Sequence, residues 1–275
     1  MDSIFVLGRN NARGIDLNRN FPSLFDKGII SELQRMSNKD IFNVPTKDPI
    51  QPETRAVMTW VLDNPFVLSI SFHGGAVGSF FPYDDGPKPR GVASPTPDNE
   101  LLKEFATLYS SNHEEMHKGQ SCPRSPHRFP NGVSNGAKWY ALSGGMTDFN
   151  YIFSNCFEIT VELSCCKYPK DEELEIEWRN NKNSMMKYLE SVHIGIKGIV
   201  SFENGTRSGE TEIYVEDNKK AIKTTNQGEY WRLLPPGKYK IIAQHSIQKS
   251  LRSEIISVEV KPGEVLRQDL TLLFR

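Results

Sequence analysis

Arginine and asparagine are concentrated in one polar stretch near the start of the chain, GRNNARGIDLNRNFP at residues 8–22. The stretch is too polar for a core strand and lacks the apolar period of an amphipathic helix. A solvated loop is one interpretation. An anion site is the other, because guanidinium and amide groups hold a carboxylate or phosphate in a fixed orientation. Which interpretation holds depends on whether other segments supply further residues for a site.

A carboxylate and an imidazole lie on two strand-like segments. Glu162 is on the polar side of CFEITVELSC (156–165), whose other side is apolar, so its carboxylate projects from the face of a sheet. His73 closes FVLSISFH (66–73) and precedes two glycines, which suits a metal ligand at the carboxyl end of a strand. The alternatives are an edge-strand ion pair for Glu162 and a structural histidine for His73.

Two further segments offer side chains for chemistry. Tyr140 lies in the glycine-rich segment NGAKWYALSGGM, which could carry a mobile tyrosine over a site, although a tyrosine packed at the edge of the core fits equally well. HEEMH at residues 113–117 matches the H-E-x-x-H pattern of helical zinc sites. We give this match little weight, because both histidines lie toward the edge of the apolar face of the predicted helix and no compact third ligand follows.

The segments that position these residues alternate between helix and strand up to residue 193. QPETRAVMTWVLDN (51–64) predicts a helix with Ala56, Val57, Trp60 and Val61 on one face, and residues 171–193 predict another helix. The run at 66–73 predicts a buried strand, and the alternation at 156–165 predicts a second strand. This pattern predicts an α/β domain over residues 1–193. Beyond it, about seven short alternating stretches predict a small all-β sandwich over residues 194–275.

The composition of the 275 residues is that of an ordinary globular chain, with 37% hydrophobic residues. Lys and Arg (33) nearly balance Asp and Glu (34), which gives no indication of binding to nucleic acid or to a membrane surface. No apolar run approaches the roughly 18 residues of a membrane span, and MDSIFVLGRNN lacks the pattern of a signal peptide. The cysteines have no paired C-x-x-C spacing for structural zinc. Asn204-Gly205-Thr206 is a glycosylation sequon at a predicted turn, which matters only in a secreted chain.

Four segments together resemble a known family. They are GRNNARGIDLNRNFP, FVLSISFHGGAVGSFFPYDDG, NGAKWYALSGGMTDFNY and CFEITVELSCCKYP, which are similar, in this order, to motifs of the zinc metallocarboxypeptidases of the carboxypeptidase N, E, M and D subfamily. Their style is closest to the carboxypeptidase D repeats. The resemblance implies a carboxypeptidase-like mixed sheet flanked by helices over residues 1–193 and a transthyretin-like β-sandwich over residues 194–275. It also implies a hydrolase of the secretory pathway that removes single residues from the C-termini of peptides and proteins.

The resemblance assigns a role to each candidate residue in the polar stretch. Arg9 matches the arginine that polarises the scissile carbonyl and stabilises the oxyanion. Asn18 and Arg19 match the pair that grips the C-terminal carboxylate of the substrate. The stretch at 8–22 is then expected to form a carboxylate clamp beside an oxyanion site.

The zinc site that the resemblance implies is incomplete in this sequence. His73 matches one zinc ligand, Tyr140 matches the tyrosine that closes over the bound C-terminus, and Glu162 matches the general base and acid. The family takes its other zinc ligands from an H-x-x-E pair well upstream of the arginine motif, and no H-x-x-E precedes Arg9. Because a catalytic zinc needs about three protein ligands, we expect two further ligands upstream of residue 1.

The missing ligands lead to two alternatives for the whole chain. One is the C-terminal part of a zinc carboxypeptidase whose catalytic domain lacks its first elements here, so that the chain is inactive as given. The other is a non-catalytic module that binds the C-termini of peptides. The presence of Glu162 and Arg9 favours an active parent enzyme.

Substrate preference and disulfide pairing also follow from the resemblance. The subfamily selects C-terminal Lys or Arg with an acidic residue, matched by Asp84, and with a Gln, at whose position this chain has Thr147. We expect the basic preference to survive with weaker binding or a changed balance between Lys and Arg. The subfamily pattern also implies a disulfide between Cys122 and Cys165, which leaves Cys156 as a buried thiol and Cys166 undecided.

Overall fold

The computed structural model describes residues 8–23, 38–44, 46–86, 91–123 and 125–274. The chain divides into two compact units, Met1–Leu189 and Glu190–Arg275. None of the helices within the described ranges is both long enough and apolar enough to cross a membrane.

Helices and strands alternate along the first unit. The helices are α1 (Asn38–Ile41), α2 (Pro52–Asp63), α3 (Asn99–Ser111), α4 (Gly136–Tyr140), α5 (Met146–Phe153) and α6 (Asp171–Glu190). The strands are β1 (Leu68–His73), β2 (Gly78–Phe81), β3 (Val133–Asn135) and β4 (Phe157–Glu162). Single turns of 3-10 helix lie at Leu17–Arg19, Met116–Lys118 and Pro130–Gly132. The predicted α/β class is confirmed.

The strands of the first unit form a mixed sheet in the order β1-β4-β2-β3. β1 runs parallel to β4, β2 runs antiparallel to β4, and β3 runs parallel to β2. The register of β1 and β4 pairs Ser69 with Glu158, Ser71 with Thr160, and His73 with Glu162. Because side chains alternate between the two faces of a strand, these three pairs share one face of the sheet.

Burial along the two parallel strands differs from the prediction. β1 was predicted to be buried, yet Ser71 is its only buried residue and Phe72 is 47% exposed. The reason is that, within the described ranges, β4 is the only strand that pairs with β1. β4 lies between β1 and β2, and the helices α3 and α5 both pack against it, so even Glu158 and Glu162 are buried.

The core-facing side of α2 also differs from the prediction. Thr54, Met58 and Val61 are its buried residues, whereas Ala56 and Trp60 are exposed. Positions 54, 58 and 61 follow the spacing of one helix face. The prediction that Ala56 and Trp60 lie on the apolar, core-facing side of the helix was therefore wrong. The polar Thr54 belongs to the buried stripe, and the larger Trp60 does not.

The second unit consists of strands and turns, and no helix occurs in residues 191–274. Its strands are β5 (Gly195–Phe202), β6 (Thr211–Val215), β7 (Asn218–Lys223), β8 (Glu229–Arg232), β9 (Gly237–His245), β10 (Leu251–Arg252), β11 (Ile256–Val260), β12 (Val265–Arg267) and β13 (Leu270–Phe274). They pair in the order β12-β5-β13-β10-β9-β6-β7, with β11 on β9 and β8 on β5. The predicted strands are present in this unit, and the transthyretin-like β-sandwich over residues 194–275 stays a prediction.

The core of the second unit follows the period of two that its sequence shows. Ile196 and Val200 of β5 are buried, as are Ile213 of β6, Ile222 of β7 and Ile241 of β9. These side chains form one apolar cluster, as expected where alternate residues of several strands face inward. Such a cluster is the main source of stability for a unit without helices.

The glycosylation sequon lies at the predicted turn between β5 and β6. Asn204 is exposed there, and its Oδ1 accepts a hydrogen bond from the backbone N–H of Thr206 at 2.9 Å. Gly205 has a φ of 81°, in the left-handed region that favours glycine.

Cys122 and Cys165 form a disulfide with 5.7 Å between their Cα atoms, as the resemblance implied. Cys156 is a buried thiol, which confirms that prediction, and Cys166 is an exposed thiol. The disulfide ties the loop after β4 to the segment that follows Met116–Lys118. The chain just beyond Glu162 is thereby held in place.

Candidate active site

A cleft of about 920 Å³ lies at the carboxyl ends of β1 and β4, in the first unit. Seven of the eight residues to which the sequence assigns a role line it: Arg9, Asn18, Arg19, His73, Asp84, Tyr140 and Glu162. The eighth residue, Thr147, lies behind the wall of the cleft. Residues far apart in the sequence are thus brought to one site.

His73 and Glu162 face each other at the ends of two parallel strands. The distance between His73 Nδ1 and Glu162 Oε1 is 4.0 Å. The other ring nitrogen of His73, Nε2, lies 3.0 Å from Ser71 Oγ. Ser71 therefore holds the ring so that Nδ1 faces the same space as the carboxylate of Glu162.

Burial sets the protonation of both groups. Burial is the main cause that lowers the pKa of His73 to about 4, and the nearby charges of Arg9, Arg19 and Lys167 contribute to the same shift. Burial raises the pKa of Glu162 to about 7, although the positive charges of Lys167 and Arg9 act to lower it. Glu162 Oε2 is buried and accepts no hydrogen bond from a described residue. At neutral pH the imidazole of His73 is uncharged, and Glu162 can both take and give a proton.

The residues of the polar stretch are fixed by a short 3-10 helix. Asp16 caps this helix by accepting a hydrogen bond from the backbone N–H of Asn18 at 3.0 Å, and its other oxygen accepts one from Arg9 Nε at 2.8 Å. Asn18 Oδ1 accepts a hydrogen bond from the backbone N–H of Met146 at 2.8 Å, which ties the helix to the start of α5. Arg19 Nη1 donates to the backbone oxygen of Asn18 at 2.7 Å. Two guanidinium groups and one amide therefore line one wall of the cleft.

Asp84 follows β2 and places a buried carboxylate in the same cleft. The backbone N–H groups of Asp84 and of the next residue donate to the carboxylate of Asp148 at 2.8 and 2.9 Å. The carboxylate of Asp84 accepts no hydrogen bond within the described part of the chain, although the residue is only 8% exposed. Burial raises the pKa of the Asp84 carboxyl group to about 7, although the positive charge of Arg19 acts to lower it. A buried carboxylate without donors favours a cation as its partner.

Glycine at position 136 makes room for that carboxylate. Gly136 opens α4, and a Cβ atom on it would overlap Asp84 Oδ1. Tyr140 closes the same helix and is 58% exposed at the rim of the cleft. α4 therefore shapes the bottom of the cleft with its first residue and the rim with its last.

Thr147 does not line the cleft itself, but its hydroxyl contacts the hydroxyl of a residue that does. Its Oγ1 lies 2.8 Å from Oγ1 of Thr160, which lines the cleft, and 3.2 Å from Glu158 Oε1. Thr147 itself is 2% exposed.

A model of the zinc carboxypeptidase family matches residues 2–184. The chain belongs to the zinc carboxypeptidase family. The resemblance that the four segments carry is thereby confirmed, and with it the class of enzyme and the zinc cofactor of the family.

Individual carboxypeptidases are similar over most of this chain. It is 43% identical to carboxypeptidase D of Drosophila melanogaster over 269 residues, which cover 97% of this chain and 18% of that protein. It is 44% identical to the carboxypeptidase N catalytic chain of Mus musculus over 249 residues, 87% of this chain and 53% of the other. It is 38% identical to carboxypeptidase M of Mus musculus over 280 residues, 100% of this chain and 59% of the other. The chain thus spans little more than half the length of two relatives and less than a fifth of the third.

His73 fits a zinc ligand of this family, because its ring is neutral and Nδ1 accepts no hydrogen bond within the described residues. The rest of the donor set does not fit. The described residues contain no cluster of three or more His, Cys, Asp or Glu side chains that could hold a metal ion. A catalytic zinc needs about three protein ligands, so these residues by themselves do not make the site.

The HEEMH segment is not a helical zinc site. α3 ends at Ser111, before the segment begins. His113 Nδ1 accepts hydrogen bonds from the backbone N–H groups of Glu115 and Met116 at 3.1 and 3.0 Å. Burial lowers the pKa of His113 to about 4. His113 therefore closes a turn after the helix, which agrees with the little weight given to the pattern.

Three residues of the site carried no role in the sequence prediction. Thr160 lies two residues before Glu162, so the period of a strand could have placed it on the same wall. Lys167 lines the cleft from the loop after β4, and nothing in its local sequence indicates this position. Asp148 orients the backbone of Asp84 across 64 residues of sequence, a contact that only the tertiary fold creates.

Proposed function

We propose that this chain carries the substrate-binding part of a zinc carboxypeptidase that removes single Lys or Arg residues from the C-termini of peptides and proteins. The observation that supports the proposal best is Asp84. It is a buried carboxylate with no hydrogen-bond donor among the described residues, and it lies in the same cleft as two arginines. A substrate with a terminal carboxylate and a cationic side chain complements both features.

The positions of the side chains suggest how such a substrate lies. Asn18 and Arg19 bind its terminal carboxylate, since amide and guanidinium donors fix a planar anion. The cationic side chain extends toward Asp84. Tyr140, exposed at the rim, closes over the bound residue. Arg9 lies beside Glu162 and stabilises negative charge that develops on the scissile carbonyl.

Glu162 moves the protons of the hydrolysis. Because its pKa is raised to about 7, its carboxylate can accept a proton from the attacking water and then donate it to the leaving amine nitrogen. The zinc of the family would be held in part by His73. The described residues contain no cluster of three or more His, Cys, Asp or Glu side chains that would complete the site.

For the 275-residue chain by itself, the proposal is binding without turnover. One zinc ligand among the described residues also favours the alternative of a module that only binds peptide C-termini. The disulfide supports a protein of the secretory pathway, where such bonds persist. We assign residues 194–275 the role of a transthyretin-like domain that follows the catalytic domain of residues 1–193.

The test is a set of peptides that differ only in the last residue, with affinities measured by calorimetry on the 275-residue chain. We expect tighter binding of peptides ending in Lys or Arg than of one ending in norleucine, an uncharged analogue of lysine. Asp84→Asn should remove this preference. Asp85→Asn is the matched control, because Asp85 is the adjacent carboxylate and bonds instead to Ser23 Oγ at 2.7 Å. Equal or tighter binding of C-terminal Phe or Leu, or an Asp84→Asn variant with unchanged preference, overturns the basic pocket.

A further inference from the structure

Glu158 is a buried carboxylate on the same face of β4 as Thr160 and Glu162. The residue is 1% exposed. Its Oε2 accepts hydrogen bonds from Ser69 Oγ at 2.5 Å and from Asn150 Nδ2 at 2.6 Å, and its Oε1 accepts one from Thr147 Oγ1 at 3.2 Å. Burying a carboxylate is costly even with three donors. The residue has no role in the clamp or in proton transfer.

The contacts of Glu158 fix the direction of a short chain of hydroxyls. A carboxylate only accepts, so the single proton of the Thr147 hydroxyl points to Glu158. In the 2.8 Å contact between Thr147 and Thr160, Thr160 must then be the donor. The proton of Thr160 is thereby used, so the hydroxyl can only accept further hydrogen bonds, and Thr160 lines the cleft.

We propose that Glu158 is a positioning residue for substrate specificity: through Thr147 it orients the Thr160 hydroxyl as an acceptor for the ammonium or guanidinium group of the substrate. This inference rests on the proposed basic pocket and adds a second acceptor to it. Asp84 supplies the negative charge. Thr160 supplies a neutral oxygen, which Glu158 and Thr147 orient as a hydrogen-bond acceptor. The two carboxylates are close enough for Glu158 to raise the pKa of Asp84. A cation in the cleft is attracted by both.

The variant Glu158→Gln tests the direction of the hydrogen bonds from Thr160 to Thr147 and from Thr147 to Glu158. Ser69 and Asn150 are donors at one end of the Glu158 side chain, so they select the amide oxygen of glutamine there. The amide NH₂ group then faces Thr147 and donates to it. The Thr147 proton is released toward Thr160, and the Thr160 proton turns into the cleft, where it opposes a cation.

The experiment compares the affinities of the 275-residue chain for two peptides, one ending in lysine and one ending in norleucine. In Glu158→Gln we expect the ratio of the two affinities to fall by roughly tenfold or more, the effect of one hydrogen bond to a charged group. Binding of the norleucine peptide should change by less than about twofold, since this peptide brings no donor to Thr160. Thr160→Val should lower the ratio similarly, and adding Glu158→Gln to it should cause no further loss.

The outcomes separate this inference from the proposed function. If the wild-type chain does not prefer lysine, or if Asp84→Asn keeps the preference, the basic pocket itself fails. If Asp84→Asn removes the preference while Glu158→Gln and Thr160→Val keep it, only the role of Glu158 fails. An equal loss for both peptides in Glu158→Gln also overturns that role, because it indicates a structural effect. If Glu158→Gln does not fold, Thr147→Val decides: the ratio should fall, and an unchanged ratio overturns the inference.

Discussion

At the scale of the single residue, Asp84 makes recognition of a basic substrate depend on pH. Burial raises the pKa of its carboxyl group to about 7. Below that pH the group is protonated and uncharged, and above it the carboxylate attracts a cation. The affinity for a peptide ending in lysine, relative to one ending in norleucine, should therefore rise between pH 6 and pH 8 by roughly tenfold.

Calorimetry at several pH values checks this dependence. Glu162 has a pKa near the same value, but it acts on both peptides, so its contribution cancels in the ratio of affinities. His73 titrates well below this range. Asp84→Asn should make the ratio independent of pH. A wild-type ratio that is flat or falls with pH contradicts an ionisable acid in the pocket.

At the scale of the element, the first residue of α4 keeps the pocket open. Gly136→Ala brings a methyl group into the position of Asp84 Oδ1 and displaces that carboxylate. Gly136 does not need a left-handed φ, so the backbone tolerates alanine. We expect the preference for lysine over norleucine to fall while binding of the norleucine peptide is kept. The two affinities, together with a thermal unfolding curve, check this, and an unchanged preference in a folded variant contradicts it.

The loop after β4 depends on the disulfide. Cys122 and Cys165 are separated by 43 residues, so cross-linking them removes much freedom from the unfolded chain. Replacing both with serine should lower the free energy of unfolding by about 2–4 kcal/mol. Urea unfolding of the oxidised protein measures this change. The control is Cys166→Ser, an exposed thiol outside the disulfide, which should change stability by less than about 0.5 kcal/mol. A loss as large in the control as in the double variant contradicts a stabilising Cys122–Cys165 bond.

The elements also show what sequence patterns can and cannot predict. The alternation in β4 placed Glu162 on a sheet face, because side-chain direction is a local property. The same pattern could not show that β4 is buried on both faces, since burial depends on the helices that pack on the sheet. In α2 the local pattern favoured Trp60 over Thr54, and packing reversed that order. Thr147 and Glu158 contact each other across a helix and a strand, which no sequence period reports.

At the scale of the whole molecule, the incomplete donor set predicts weak zinc binding. The resemblance matches only His73 to a zinc ligand, and the described ranges contain no cluster of three or more His, Cys, Asp or Glu side chains that could hold a metal ion. After dialysis against metal-free buffer, the 275-residue chain should retain well below one zinc per molecule. Metal analysis by mass spectrometry measures this, with His73→Ala expected to lower the content further. One tightly held zinc per chain contradicts an incomplete donor set. If that zinc is lost in His113→Ala, the HEEMH segment is its site.

We propose above all that the cleft of the first unit recognises a free C-terminus. The most direct measurement compares the affinity of the 275-residue chain for a peptide ending in lysine with its affinity for the same peptide carrying a C-terminal amide. Amidation removes the carboxylate that Asn18 and Arg19 are proposed to bind, and leaves the lysine side chain intact. We predict an affinity at least roughly tenfold lower for the amide, the effect of losing charge-assisted hydrogen bonds. Equal affinities for the two peptides, or no binding of either, would contradict the claim.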